Sequence, residues 1–187
     1  MALLKSSLVA GIGRGCAALA ILFAWFVPPG HAAPAQQQEV QAVFVLNLTR
    51  FIKWPETAFP AEDAPLVICC LAGDPVGPFL VDAAKGEVAG KHPIDVRLVH
   101  SVEQFTDCQV AFFSKADIAR VTQTITTLRT KPILMVGDSD GFLNLGGHVQ
   151  LFNRGGQVKL RLALNNLKRS DLAASAPLLR VAEVIQD

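Results

Sequence analysis

Residues 40–60 read VQAVFVLNLTRFIKWPETAFP, and apolar side chains recur there at helical spacing. Val40, Val43, Phe44, Asn47, Leu48, Phe51 and Ile52 fall on successive turns of one face, as i, i+3, i+4, i+7, i+8 spacing requires. Trp54-Pro55 ends the run, because a residue before proline is driven out of the α region, and residues 56–60 form an irregular exit. The face is wider and more aromatic than one small core needs. It predicts an amphipathic first helix packed on the core, with a competing use of its surplus apolar surface against a partner. Asn47 and Arg50, polar within or beside the stripe, keep that second use open.

Further along, the period changes. Residues 66–71 form an unbroken apolar run with β-branched members, which suits a strand covered on both faces. Residues 77–85 suit a short helix, and residues 93–100 alternate as a half-buried strand does. Ser101 and Gln104 resemble a helix N-cap with one short turn. Residues 108–113 predict a second buried strand, a helix runs from 115 or 116 to 129, and residues 132–136 make a third buried strand. Strand, helix, strand, helix, strand is the rhythm of an α/β layer. After Gly146, the segments 148–153 and 157–164 are joined by Arg154-Gly155-Gly156, a connection that suits a hairpin. A polar stretch, 165–171, leads to a closing amphipathic helix over 177–185. The expected fold is α/β: a single three-layer domain with a mixed, mainly parallel sheet flanked by helices and a C-terminal β-hairpin.

The first 35 residues stand apart from this pattern. Lys5 and Arg14 precede an apolar run from Cys16 to Val27, then prolines and small residues, the layout of a secretory signal peptide cleaved after Ala32 or Ala35. The run is too short to span a bilayer comfortably. A domain over 36–187 follows, and this segmentation predicts that it is exported. Beyond residue 35 there are 15 basic and 16 acidic side chains, so the charge gives no reason to expect a nucleic acid partner.

The exported part keeps Cys69, Cys70 and Cys108, an odd number for an oxidising compartment. Cys69 and Cys70 are neighbours in a predicted strand and point to opposite faces, so only one of them can meet Cys108. Three buried free thiols are the alternative. No Cys-x-x-Cys with a nearby histidine gives metal-ligand spacing.

The most polar cluster is Gly137-Asp138-Ser139-Asp140-Gly141-Phe142, at the carboxyl end of a predicted strand, where α/β proteins often place ligands. Asp138 and Asp140 could meet a cation, but the calcium-loop pattern fails and a plain turn is the commoner meaning. There is no dinucleotide fingerprint and no cofactor motif. His92, His100 and His148 are scattered, and no Gly-x-Ser-x-Gly elbow accompanies them, so no catalytic set emerges. Only Trp54 and no tyrosine lie beyond residue 35, which disfavours a stacking surface for sugars or bases.

Taken together, QAVFVLNLTRFIKWPETAF, VICCLAGDPVG, DCQVAFFS, PILMVGDSDGFLNLGGHVQLF and GQVKLRLALNNLKRSDLAASAPLLRVA resemble the YfiR family of periplasmic regulatory proteins, in order and over nearly the whole exported chain. The resemblance implies a small secreted α/β domain that forms homodimers, has no catalytic activity, and represses an inner-membrane signalling protein from its periplasmic side. A diguanylate cyclase that makes cyclic di-GMP is the typical partner; a sensor histidine kinase is the other. It also implies a Cys69–Cys108 disulfide. Cys70 stands where the family usually has an aliphatic residue, the second cysteine pair of some members is missing, and Ser175 stands where relatives often have two serines.

The surface expected to meet the partner comprises Phe44, Asn47, Arg50, Phe51, Trp54 and Pro55. A competing function is an exported ligand-binding protein or enzyme using the loops at 73–77 and 137–142.

Overall fold

The structure, a computed structural model, describes residues 34–186, so the expected export segment lies outside the described residues except for its last two positions. The chain begins with helix α1 (Pro34–Leu48) and the short strand β1 (Ile52–Lys53). It continues through β2 (Leu66–Leu71), α2 (Gly77–Ala83), β3 (Val88–Ala89), β4 (His92–Val99) and β5 (Val110–Phe113). Then come α3 (Ile118–Leu128), β6 (Leu134–Gly137), β7 (Val149–Arg154), β8 (Gln157–Ala163), α4 (Leu164–Arg169), β9 (Ala173–Ala174), α5 (Ala176–Val181) and β10 (Glu183–Ile185).

Eight strands form one sheet in the order β10-β8-β7-β6-β5-β2-β4-β3, and β1 pairs with β9 as a separate two-stranded ribbon. β4, β2, β5, β6 and β7 run parallel; β8 turns back antiparallel to β7, and β10 lies parallel to β8. The expected class therefore holds: a mixed, mainly parallel sheet with helices on both faces and a late hairpin. That hairpin turns on Gly155 and Gly156, whose φ values of 62° and 79° are the left-handed pair a two-residue turn of this hand requires.

Alternation along β2 explains why its run is apolar throughout. Leu66, Ile68 and Cys70 enter a core shared with α1, α2, β7 and β8, whereas Val67, Cys69 and Leu71 enter a second core beneath α3 and the 3-10 turn Val102–Asp107. Cys69 thus faces Cys108, and the two are joined with Cα atoms 6.0 Å apart. Cys70, one residue on, faces the other core as a buried free thiol.

Four expectations are corrected. The first helix ends at Leu48, not at Trp54-Pro55, and starts early enough to include the polar residues 36–39. Thr49 Oγ1 donates to the Leu46 carbonyl at 2.6 Å, and the N–H groups of Thr49, Arg50 and Phe51 each reach three residues back, which tightens the last turn. Ile52-Lys53 is then free to pair with Ala173-Ala174.

Second, α1 is rotated from the expected orientation. Gln41, Ala42, Val45, Leu46 and Leu48 are buried, while Val40 and Val43 are exposed and Phe44 and Asn47 half-buried. Third, the polar stretch 165–171 is more than a lead-in to the closing helix. It lies largely in α4, where buried Asn166 donates to the carbonyls of Leu143 and Gly147 at 2.9 and 2.6 Å. The closing helix is also shorter than expected: α5 stops at Val181, and residues 183–185 become the edge strand β10.

Candidate functional site

The outward flank of α1 presents apolar side chains to the surface. Val43 is 43% exposed and Phe51 38%, and beside them Val181 on α5 is 72% exposed. Between α1 and α5 runs a groove of about 270 Å³ lined by Val43, Phe44, Phe51, Leu160, Leu178 and Val181. Leu160 of β8, itself buried, contributes to the lining between the two helices. A second groove continues along α1 toward its N-terminus, where Val40 and Phe44 face Val158 and the hairpin turn. A monomer gains nothing from leaving this much aliphatic and aromatic surface contiguous.

Of the six residues expected to meet a partner, Phe44, Asn47 and Phe51 line this groove. Arg50 does not line it; its Nη1 donates to Asn47 Oδ1 at 2.8 Å, and it pairs with Glu87 in the α2–β3 connection. Trp54 and Pro55 lie in a different cleft of about 530 Å³, together with Phe59, Glu62, Lys91 and His92. Phe59 stacks on His92 at 3.9 Å between ring centres, and Trp54 meets Phe59 edge-on at 6.5 Å. Three contacts pin this loop. Gln109 Nε2 donates to the Ala58 carbonyl at 2.8 Å, Lys91 pairs with Glu62 at 2.6 Å, and His92 Nδ1 meets the Ala64 carbonyl at 2.7 Å. The hydrogen bond and charge of Lys91 hold the Glu62 carboxyl below its ordinary range. Trp54 is half-buried and its Nε1 has no partner.

The predicted partner set is therefore split between two surfaces. Pro177, Leu178 and Val181 complete the first of them, and local sequence does not reveal this, because they meet α1 only through the tertiary fold.

The competing loops hold polar groups inward. Asp138 accepts from Gln41 Nε2 at 3.0 Å and from the Lys115 backbone N–H, and Gln150 Nε2 donates to the Ser139 carbonyl at 3.0 Å. Asp74 caps the chain ahead of α2 by accepting from the Val76 N–H at 2.8 Å; burial pushes its carboxyl above the ordinary value. Among the described residues, no three His, Cys, Asp or Glu side chains are grouped to hold a metal ion. Burial, followed by the charges of Asp74 and Asp117, pushes the Cys70 thiol up to about 12, so it is inert.

His92 and His148 are structural by their ring contacts. His148 is fully buried between the Met135 N–H and Ser170, and burial with the charge of Arg169 lowers it to about 3. His100 lends its backbone N–H to Gln104 Oε1 at the start of the 3-10 turn.

A family profile described as YfiR/HmsC-like matches residues 38–183. No curated protein matches the chain. Among solved structures, a conserved domain protein from Vibrio cholerae is 10% identical, aligning over 80% of this chain and 60% of its own with a TM-score of 0.49. Among the described residues, no helix is long and apolar enough to cross a membrane.

Proposed function

The chain belongs to the YfiR/HmsC-like family, a family of periplasmic regulatory proteins, and from that premise we propose that it represses an inner-membrane signalling protein by docking on its periplasmic part. The partner in this reading is a diguanylate cyclase, so the output is the level of cyclic di-GMP. The observation that carries the reading is the outward flank of α1. A helix in a stable monomer normally turns its apolar side chains inward, yet here Val40 and Val43 of α1 and Phe51 of the turn after it remain exposed beside Val181 of α5. Aromatic and aliphatic side chains around a shallow groove are what a hot spot for a partner helix or strand consists of.

The role asks no chemistry of the chain. The polar groups at the carboxyl ends of β5 and β6 are used to hold α1 and the loops in place, as the contacts of Asp138 and Gln150 illustrate.

Deleting the protein should raise cyclic di-GMP, and restoring it should lower it again. Phe51→Ala should fold normally and fail to lower it, because truncation removes an anchor from the groove but little from the core. If folded Phe51→Ala represses as the parent does, the α1 flank is not the docking surface. Gel filtration of the same variant shows whether the flank seats a second copy instead: a dimer that becomes a monomer without any loss of repression assigns it to self-association.

A further inference from the structure

Helix α1 carries two apolar flanks. Ala42, Val45, Leu46 and Leu48 form the buried one; Val40, Val43 and Phe44, continued by Phe51 in the turn that follows, form the one that faces out. Successive helical residues are about 100° apart, so a half turn about the axis exchanges the two sets. The outward set has Phe44 as its largest side chain and includes the polar Asn47; the buried set has two leucines and includes the polar Gln41. Hydrophobic burial is non-directional and gives no strong reason to choose between them. A directional contact has to fix the rotation.

Gln41 makes one. It lies on the buried flank, 4% exposed, and its Nε2 donates to Asp138 Oδ2 at 3.0 Å. Asp138 is itself held in place, because its other oxygen accepts the Lys115 backbone N–H. The acceptor thus belongs to the ends of β5 and β6, and the donor to α1. The hydroxyl bond of Thr49 stays within its own chain segment and is indifferent to rotation.

We propose that Gln41 is the positioning residue of the docking flank: its hydrogen bond to Asp138 selects the rotation of α1 that buries Ala42 and Val45 and turns Val43, Phe44 and Phe51 outward. This role of Gln41 deepens, and rests on, the reading of that flank as the surface that meets a partner.

The test uses the exported, disulfide-intact protein with Ala42→Cys or Val43→Cys as a reporter, and reads thiol alkylation rates at neutral pH. Without further change, the reporter at 43 reacts quickly and the one at 42 is protected. Gln41→Glu sets two carboxylates against each other. Alkylation at 42 should then rise roughly tenfold or more, the weight of one hydrogen bond to a charged group. Adding Asp138→Asn exchanges donor and acceptor without changing either shape, and should restore protection at 42. A substitution that merely weakened the helix would not be rescued by this exchange.

The proposal is overturned if Gln41→Glu leaves position 42 protected, or if the double variant is alkylated there as fast as Gln41→Glu alone. Should Gln41→Glu fail to fold, a folded double variant with the native pattern supports the proposal, and a double variant that also fails to fold overturns it. Alkylation and repression are separate readouts, so a correctly rotated flank that does not repress contradicts the docking reading alone.

Discussion

Acid should weaken this domain through His148. The Met135 N–H donates to its Nδ1 at 2.9 Å, so the neutral ring carries its proton on Nε2, which faces Ser170 Oγ at 3.0 Å; Ser170 Oγ in turn donates to the Arg129 carbonyl at 2.9 Å. A second ring proton would meet the Met135 N–H head on, in a fully buried site near Arg169. The folded-state value of about 3 lies below the unfolded value of about 6.5, so below that pH the unfolded chain binds the proton and the folded chain does not. Stability from this residue is therefore intact above pH 6.5 and falls as the pH drops toward 3. Each unit costs about 1.4 kcal/mol, which gives a loss of about 2 kcal/mol by pH 5. Urea unfolding of the parent and of His148→Gln at pH 7 and pH 5 isolates the effect, since every other titrating group is common to both. The parent should lose about 2 kcal/mol more than the variant over that interval. Equal losses in the two proteins would refute the reasoning.

Three further outcomes follow from the packing. Cys108→Ser should lower the unfolding free energy by roughly 4 kcal/mol, the loop-entropy value for a bridge spanning 39 residues, measured by urea unfolding without reductant. Gly147→Ala should cost about 1–3 kcal/mol in the same assay, because a Cβ there would lie 2.2 Å from the buried Phe142 ring. Val181→Asp, at a side chain 72% exposed, should change unfolding by less than about 0.5 kcal/mol yet relieve repression in the cyclic di-GMP assay.

The sheet was legible in the sequence because its central strands are covered on both faces. Runs such as Leu66–Leu71 have no polar residue to disturb the pattern, and adjacent Gly155 and Gly156 announce the hairpin. The pairing of Cys69 or Cys70 with Cys108 was narrowed by alternation, and the side on which each core lies decides it for Cys69. What failed is what depends on polar groups finding distant partners. The rotation of α1 turns on Gln41 reaching a residue 97 positions away. The stretch 165–171 reads only as a polar lead-in, yet Asn166 and Ser170 are buried, donating to the carbonyls of Leu143, Gly147 and Arg129. β10 reads as helix because Leu178, Leu179, Val181, Ala182 and Val184 describe an amphipathic face, although Glu183 to Ile185 pair in parallel with Arg161 to Ala163 and Glu183 bridges Arg154 and Arg161. Of the six residues expected at the docking surface, three fall in one groove and two in another, since α1 ends at Leu48 and strand β1 carries the chain on from Phe51 to Trp54.

Photo-crosslinking in cells addresses the docking flank itself. A photoreactive side chain placed at position 43 or 51 should form an adduct with an inner-membrane signalling protein, whereas one at the exposed Lys85, on the α2 side, should not. Adducts from position 85 with none from 43 or 51 would contradict the account.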